Sequence, residues 1–178
     1  MTLAYIGIGS NIQPERFIVM ALERLRQKLA VEAISPFYRT KAVGTAEGQN
    51  DFINGVMKVK TKLAAQQLKF TVLREIEFEL GRLKEMPKHA PRTVDLDLII
   101  FGDEIIPELN IPEADIMSRP YVYVPLLDIE PKIKIPGLQL KLKKLLKRAH
   151  EDEIVRCIKG KTLTNLQGTA FEVHELIM

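Results

Sequence analysis

Cysteine is almost absent from this sequence, since Cys157 is the only one in 178 residues. A single thiol excludes an internal disulfide framework, and it leaves too few sulfur ligands for a cysteine-based zinc site. Such sparing use of cysteine suits a reducing compartment. We therefore expect a cytoplasmic protein.

The sequence also lacks long apolar runs and a strong charge of either sign. No uninterrupted apolar stretch approaches the roughly 20 residues that a membrane-spanning helix needs, and residues 1–9 lack the basic flank and cleavage site of a secretory signal. Basic residues number 26 and acidic residues 23, for a formal net charge of +3. This balance does not indicate a nucleic-acid or membrane surface. We expect a single domain over residues 1–178 that has neither of those partners.

Hydrophobic periodicity predicts a regular order of elements in the first part of the chain. Apolar runs rich in β-formers predict strands at 2–9, 31–40, 52–60 and 94–101, and apolar positions spaced three or four apart predict helices at 14–29 and 68–80. The order β-α-β-β-α-β predicts an α+β, ferredoxin-like sheet with both helices on one face. The other face is then free for ligands.

The rest of the chain gives weaker signals. Gly102-Asp103 predicts a turn into a small hairpin, and several prolines predict an irregular region up to Pro136. Leu138 to Arg148 has the pattern of a basic amphipathic helix. Residues 150–178 predict only a C-terminal helical piece or hairpin, without a functional signal.

Asp95-Leu96-Asp97 is the most informative tripeptide. Because strand side chains alternate, both carboxylates share one face while Leu96, Leu98 and Ile100 share the opposite one. Two adjacent carboxylates repel each other, and hard oxygen ligands suit magnesium where phosphates complete its coordination. A bare pair of this kind is more often two solvated acids, so the surrounding residues decide between the two interpretations.

Cationic side chains cluster just before the acidic strand. Arg82, Lys84, Lys88, His89 and Arg92 lie within eleven residues. Guanidinium groups bind phosphate oxygens bidentately, whereas lysine offers a point charge. No G-x-x-x-x-G-K-[ST] sequence occurs, so side chains and metal would hold phosphates in place of a P-loop. An ordinary solvated basic loop is the alternative interpretation.

Several separated motifs resemble those of one enzyme family. They are residues 5–11 (YIGIGSN), 37–40 (FYRT) with Val43-Gly44, 52–54 (FIN), 77–82 (EFELGR), 91–97 (PRTVDLD), Arg119 and 124–126 (VPL). In this order, over about residues 3–135, the chain resembles the hydroxymethyldihydropterin pyrophosphokinases. The resemblance implies transfer of pyrophosphate from ATP to 6-hydroxymethyl-7,8-dihydropterin, with release of AMP, in tetrahydrofolate biosynthesis.

The resemblance also implies roles for individual residues. Asp95 and Asp97 are similar to the family's ligands for two magnesium ions on the triphosphate, and with Arg82 and Arg92 they form the expected catalytic set. On the nucleotide side the resemblance implies Glu77, Arg82, Lys84, Lys88, Arg92, Leu98, Asn110 and Arg119. On the pterin side it implies Thr40, Val43, Gly44, Phe52, Asn54 and Tyr121. We also expect a monomer. The loop 81–91 holds five potential cations without an apolar periodic pattern, so we expect it to be mobile when empty and to close over bound ATP.

The pterin-side residues agree with the chemistry of a flat bicyclic ring. Such a ring favours an aromatic neighbour such as Phe52, and its amide and amino edge favours a hydrogen-bonding partner such as Asn54. Taken alone, Phe52 and Tyr121 are better explained as core aromatics, and Asn54 as a polar residue that satisfies a strand end. The set of motifs, and no single member, therefore carries the pterin assignment.

Two acidic residues depart from the family pattern. Glu108 and Glu113 stand near Pro112, where the family usually presents basic and histidine side chains to the ATP phosphates. We expect Glu113 to turn away from the phosphates or to reach a lysine or arginine, and ATP to bind more weakly than in typical members.

Two other functions remain open from the sequence. One is a divergent paralogue that binds a pterin or a nucleotide with weak or altered transfer activity. The other, from a different class, is an RNA-binding module with a ferredoxin-like sheet. Residues 52–60 lack the K/R-G-F/Y-G/A-F-V-x-F/Y pattern that such a module carries.

Overall fold

Strands and helices alternate along the first part of the chain. The computed structural model describes residues 1–40, 50–83, 90–138, 156–164 and 170–177. The strands in these ranges are β1 (Thr2–Ser10), β2 (Ala30–Ile34), β3 (Phe37–Thr40), β4 (Phe52–Thr61), β5 (Asp95–Phe101), β6 (Arg156–Thr164) and β7 (Ala170–Ile177). The helices are α1 (Pro14–Lys28), α2 (Ala65–Gln67), α3 (Arg74–Glu79) and α4 (Pro120–Ile129), with a π-helical segment (Leu68–Leu73) between α2 and α3.

One sheet contains all of these strands. Its order is β5-β1-β4-β3-β7-β6, and β2 also pairs with β4. β1 is antiparallel to both β4 and β5, and β2 and β3 are both antiparallel to β4. β4 therefore separates β1 from β2 and β3, which is the split β-α-β arrangement that the predicted element order requires.

Both helical layers pack on one face of this sheet. α1 buries Ile18, Leu22 and Leu25, because residues three and four apart share one side of a helix. The segment from α2 to α3 buries Leu68, Leu73 and Ile76 in the same cluster. The strands contribute Ala4, Ile6, Ile8, Ile53, Met57, Val59, Leu96 and Leu98. The predicted α+β, ferredoxin-like sheet with its helices on one face is confirmed.

The predicted strand at 31–40 is in fact two strands, β2 and β3. Pro36 has no backbone N–H to donate to a ladder, so pairing cannot continue through it. Ser35 instead bonds Val56 twice, since its N–H donates to the Val56 carbonyl at 2.9 Å and its hydroxyl accepts the Val56 N–H at 2.8 Å. The break separates β3, which borders the cleft described below, from β2.

β5 contains a bulge that sequence alternation did not predict. Ile6 pairs with Leu98 but the adjacent Tyr5 pairs with Ile100, so Ile99 is an additional residue in the strand. Ile99 and Ile100 consequently both lie in the apolar cluster on the face away from α1. The prediction that Ile100 shares a face with Leu98 is wrong for this reason.

The face opposite α1 is only partly open, because α4 covers one end of it. The region up to Pro136 was predicted to be irregular, but it contains α4, which buries Tyr123, Leu126 and Leu127 against the sheet. The predicted hairpin after Gly102 is reduced to one bridge between Ile106 and Ile111. Apolar contact with the sheet thus outweighs the cost of Pro125 inside the helix.

The C-terminal residues extend the sheet. β6 and β7 form an antiparallel hairpin, and β7 pairs in parallel with β3. Of the two forms predicted for residues 150–178, the hairpin is therefore correct. The helix predicted at 138–148 lies outside the described residues apart from Leu138. Within the described part of the chain, no helix is long and apolar enough to cross a membrane.

Candidate active site

The open part of the sheet face forms a cleft. The pairing of β1 with β4 and β5 determines which residues lie side by side at its base. Gly9 of β1 is the direct cross-strand neighbour of Asp95 on one side and of Asn54 on the other. Gly7 is likewise the neighbour of Asp97. Direct neighbours in a sheet present their side chains on the same face. Only glycines therefore separate the acidic strand from Asn54.

The cleft has a volume of about 960 Å³, part of which is open to solvent. The structure brings eight of the predicted site residues together in its lining: Thr40, Phe52, Asn54, Arg92, Asp95, Asp97, Arg119 and Tyr121. They come from β3, β4, the segment just before β5, β5 itself and the start of α4.

Two arginines hold Asp95. Arg82 Nη1 lies 2.5 Å from Asp95 Oδ1, and Arg92 donates to the other oxygen, Oδ2. All three side chains are only about one-quarter exposed or less. Pairs at this burial are less screened by solvent and salt than surface pairs. The two guanidinium groups therefore neutralise part of the charge of the acidic strand.

Glu77 supports this cluster from behind β5. Its Oε1 accepts the N–H of Leu96 at 2.7 Å and also pairs with Arg82. Burial raises the pKa of Glu77, and the contacts with Leu96 and Arg82 oppose that shift. Glu77 was predicted on the nucleotide side, but it does not line the cleft. It can act on a nucleotide only through the position of Arg82.

Asp97 has a different environment from Asp95, although a single residue separates them. Desolvation at the cleft floor, followed by the negative charges of Asp95, Glu113 and Glu77, raises the pKa of Asp97 to about 7, and Lys69 opposes the shift. The side chain is nevertheless exposed, because the cleft is open above it. Protein atoms thus remove water from one side of this carboxyl group while solvent and ions reach the other.

The acidic strand has the ligand chemistry of a magnesium site. Asp95 and Asp97 offer carboxylate oxygens on one face of β5, in the open cleft. No group of three or more potential metal ligands occurs among the described residues. Magnesium is commonly held by one or two carboxylates while waters and substrate phosphates complete its shell. The two carboxylates therefore fit a metal ion that binds together with phosphates.

Asn54 lies across the glycines from the acidic strand. Its Nδ2 donates to Thr40 Oγ1 at 2.8 Å, and Phe52 shares its strand face. At the start of α4, Arg119 donates to the Tyr121 hydroxyl at 2.6 Å and lies 5.7 Å from the centroid of its ring. Aromatic rings, an amide and hydroxyl groups converge on this half of the cleft. Such a set suits a flat ring with a polar edge.

Comparison with known proteins points to one family. The model of the 7,8-dihydro-6-hydroxymethylpterin-pyrophosphokinase (HPPK) family matches residues 5–131. A relative from Aquifex aeolicus (strain VF5), named 2-amino-4-hydroxy-6-hydroxymethyldihydropteridine pyrophosphokinase, is 38% identical over 80% of this chain and 89% of its own. The chain belongs to the HPPK family. Relatives of the same name from Pseudomonas aeruginosa and Haemophilus influenzae are 37% and 33% identical, over 74% and 88% of this chain and 83% and 98% of their own.

A solved structure shares the fold at much lower sequence identity. The crystal structure of wild-type Plasmodium falciparum HPPK-DHPS aligns with 96% of this chain at a TM-score of 0.68 and 12% identity. This chain spans about half, 50%, of that longer chain. The likeness supports the HPPK fold described above.

Sequence reasoning missed a structural role for Asn11. This buried side chain accepts the Arg92 N–H at 2.7 Å through Oδ1, and the Asn11 N–H donates to the Arg92 carbonyl at 3.1 Å. Asn11 therefore fixes the backbone of an HPPK cleft arginine from the end of β1. In the sequence, Asn11 ends the motif at 5–11 and directly follows an apolar strand, but neither feature reveals a contact with Arg92.

Besides Glu77, two predicted nucleotide-side residues have limited access to the cleft. Leu98 is fully buried under the helices. Since the N–H of Leu96 points away from β1 towards Glu77, alternation places the main-chain groups of Leu98 on the same outer edge. The whole residue is 0% exposed, so in this conformation those groups are also closed to a ligand. Asn110 lies outside the cleft lining, and its Oδ1 accepts the Ala114 N–H at 3.2 Å.

Glu113 lies inside the cleft. It lines the same space as Asp97, and its main-chain N–H donates to the Ile99 carbonyl at 2.8 Å. The expectation that Glu113 turns away from bound phosphates, or reaches a lysine or arginine, stays a prediction. The predicted site residues Val43, Gly44, Lys84 and Lys88, together with His89 and most of the loop expected to close, lie outside the described residues.

Proposed function

We propose that this HPPK family member transfers the pyrophosphoryl group of ATP to 6-hydroxymethyl-7,8-dihydropterin and releases AMP, as a step of folate synthesis. One observation carries the assignment of the two substrates to the cleft. Asp95 and Asp97 lie on one side of a glycine floor, and Asn54 lies on the other. Phosphates suit the charged half, and a flat ring suits the half with Asn54 and Phe52.

On the charged half, we propose that four residues act on the triphosphate. Two magnesium ions bound by Asp95 and Asp97 would offset the charge that develops on the attacking and leaving oxygens. Arg82 and Arg92 can exchange Asp95 for phosphate oxygens, because a guanidinium group binds either anion bidentately. Glu77 keeps its contact with Arg82 in either state.

On the other half, we propose that Phe52 and Tyr121 pack against the pterin and that Asn54 bonds its polar edge. The ring is then held with its hydroxymethyl group towards the phosphates. The hydroxymethyl oxygen forms a bond to the β-phosphorus while the bond from that phosphorus to the oxygen of AMP breaks. Positioning and electrostatics supply most of the rate in such a transfer, and no strong dedicated base is needed.

We also propose that the protein acts as a cytoplasmic monomer without a nucleic-acid or membrane partner. The single cysteine supports a reducing compartment, and the balanced charge gives no basic surface of the kind that nucleic acid attracts.

The test is an assay of AMP formation from ATP, magnesium and 6-hydroxymethyl-7,8-dihydropterin. We expect AMP only when all three are present, in equal amount to the pyrophosphorylated pterin. Reactions that lack one component are the controls. Tight pterin binding without AMP would identify the divergent paralogue instead, and AMP formation that does not depend on the pterin would contradict the proposed acceptor.

A further inference from the structure

We propose that Gly9 is a positioning residue that supports pterin binding by fixing the Asn54 amide. This inference rests on the proposed function, in which Asn54 bonds the pterin edge. Gly9 itself need not touch the pterin. Its contribution is the space that it leaves for the Asn54 side chain.

The contact between Gly9 and Asn54 is unusually close. The two residues are direct cross-strand neighbours. A Cβ atom added at Gly9 would lie 2.7 Å from Asn54 Oδ1, which is well inside ordinary van der Waals contact. The amide of Asn54 therefore lies over the Gly9 backbone, in a position that any other residue at Gly9 would deny it.

A hydrogen bond to Thr40 makes it costly for the Asn54 side chain to move aside. Its Nδ2 donates to Thr40 Oγ1 at 2.8 Å, and the residue is only 9% exposed. A methyl group at Gly9 would push Oδ1 away, and the amide would rotate off Thr40 or away from the ligand edge that it bonds. A buried hydrogen-bonding group that loses its partner is costly. The damage should therefore appear in pterin binding.

The surroundings of Gly9 otherwise accept a methyl group. The next atoms that the added Cβ would meet are Asn54 Cγ and Phe52 Cδ1, both at 3.9 Å, which is ordinary contact. Gly9 does not have a positive φ angle. Alanine at this position therefore conflicts with one side-chain atom and not with the strand itself.

Gly7 offers a matched comparison on the same strand. A Cβ added there would meet Ile99 Cδ1 at 3.2 Å, and no atom of Asn54 is among its nearest neighbours. Whatever Gly7→Ala does to binding, its effect should be the same with and without the Asn54 side chain. Coupling to Asn54 is expected at Gly9 alone of these two glycines.

The experiment is a double-mutant cycle with two separate binding titrations. Wild type, Gly9→Ala, Asn54→Ala and the double variant are titrated with 6-hydroxymethylpterin by fluorescence and with α,β-methylene-ATP plus magnesium by calorimetry. We expect Gly9→Ala to weaken pterin binding about tenfold, as loss of one hydrogen bond to a buried group does. Binding of the nucleotide analogue should change less than about twofold. In the Asn54→Ala background, Gly9→Ala should have no further effect on pterin binding.

Thermal unfolding keeps the proposal testable if Gly9→Ala folds poorly. The double variant should then regain a melting temperature at or above that of Asn54→Ala, because the conflicting oxygen is gone and Ala lowers the entropy of the unfolded chain. Unchanged pterin binding in Gly9→Ala, or an equal loss in the Asn54→Ala background, would overturn the role of Gly9. Failure of wild type to bind the pterin would instead contradict the proposed function.

Discussion

Asp95 and Asp97 share a strand face but differ in what surrounds them. Asp95 contacts Arg82 and Arg92, whereas desolvation and neighbouring acids raise the pKa of Asp97 to about 7. The raised value means that the fold favours a protonated Asp97. Ionisation of this residue therefore costs stability when no cation is bound.

Replacement of Asp97 by asparagine should stabilise the metal-free protein at alkaline pH. An acid whose pKa is raised on folding contributes stability that is fully present below its unfolded value, 3.8, and is lost as the pH rises through about 7. Asp97→Asn should thus match wild type near pH 4 and exceed it at pH 8. Because the side chain is exposed, we expect only about 1 kcal/mol, or about 2–4 °C in melting temperature. Thermal unfolding in chelator at both pH values is the measurement.

Asp95→Asn is the matched variant with the opposite expectation. It removes the partner of Arg82 and Arg92, so it should lower the melting temperature at pH 8. Both variants should lose roughly a thousandfold in the rate of AMP formation, since each removes one metal ligand. Near-normal turnover in either variant would contradict the proposed metal site, whereas equal stability shifts would contradict the difference between the two carboxylates.

Glu113 gives the second prediction at this scale. Its charge lies in the cleft with Asp97 and adds to the repulsion of the triphosphate. Glu113→His should lower the Michaelis constant for ATP and leave that for the pterin nearly unchanged, and Glu113→Gln should give part of the same gain. Saturation curves for each substrate measure both constants. Complete loss of activity in Glu113→His would mean that Glu113 binds metal or takes part in the reaction.

At the scale of elements, α4 is held to the sheet by polar contacts at its C-terminal end. Lys58 Nζ lies 2.6 Å from Glu130 Oε2, and the Tyr5 hydroxyl lies 3.4 Å from the same oxygen. Tyr38 on β3 donates to Asp128. The other end of the helix places Tyr121 in the cleft. The contacts at the C-terminal end therefore also help to fix the position of this wall of the site.

Glu130→Gln should weaken this attachment in a pH-dependent way. Lys58 lowers the pKa of Glu130, so the contribution of the pair is present above the usual value of 4.5 and is lost as the pH falls through the lowered pKa. We expect a loss of about 1 kcal/mol at pH 7 that becomes smaller at pH 3, below the usual pKa of 4.5. Glu79→Gln is the control, because its pair with Arg24 is more exposed and should contribute little. Denaturant unfolding at the two pH values would contradict the prediction if both variants behaved alike.

The elements that the sequence predicted correctly are those whose pattern is local. The periodicity of α1 and of the segment before Gly81 is carried by neighbouring residues, and so is the alternation of Asp95 with Leu96. α4 was missed because Pro125, in the helix interior, opposes helix formation, and contact with Tyr5 and Ile100 compensates. The bulge at Ile99 was missed because it depends on the register with β1, which no single strand encodes.

At the scale of the whole molecule, the C-terminal hairpin affects the cleft because it pairs with β3. β7 pairs with Phe37, Tyr38 and Arg39 on the edge of β3 opposite to β4. Without this pairing β3 would be a four-residue edge strand. Thr40, which bonds Asn54, lies at its end.

Truncation before Arg156 should therefore affect one substrate more than the other. We expect the shortened chain to keep the core of β1, β4 and β5, to retain affinity for magnesium and α,β-methylene-ATP, and to bind 6-hydroxymethylpterin several-fold more weakly. Hydrogen exchange should show faster exchange at Tyr38 and Arg39 and little change in β1. Equal weakening of both ligands would indicate a general loss of structure.

The additional residue in β5 also affects where this strand can change in length. Leu96, Leu98 and Phe101 face the helices, whereas Ile99 and Ile100 both lie on the opposite face, which Asp97 shares. If Ile99 were deleted, plain alternation would leave each remaining residue of β5 on its present face, with Ile100 opposite Tyr5 and Phe101 opposite Ala4. Loss of Ile99 should therefore cost the apolar contacts that it makes in the cluster beneath α4 without turning the carboxylates out of the cleft. The length of β5 is thus less constrained at the bulge than in the regularly paired residues beside it.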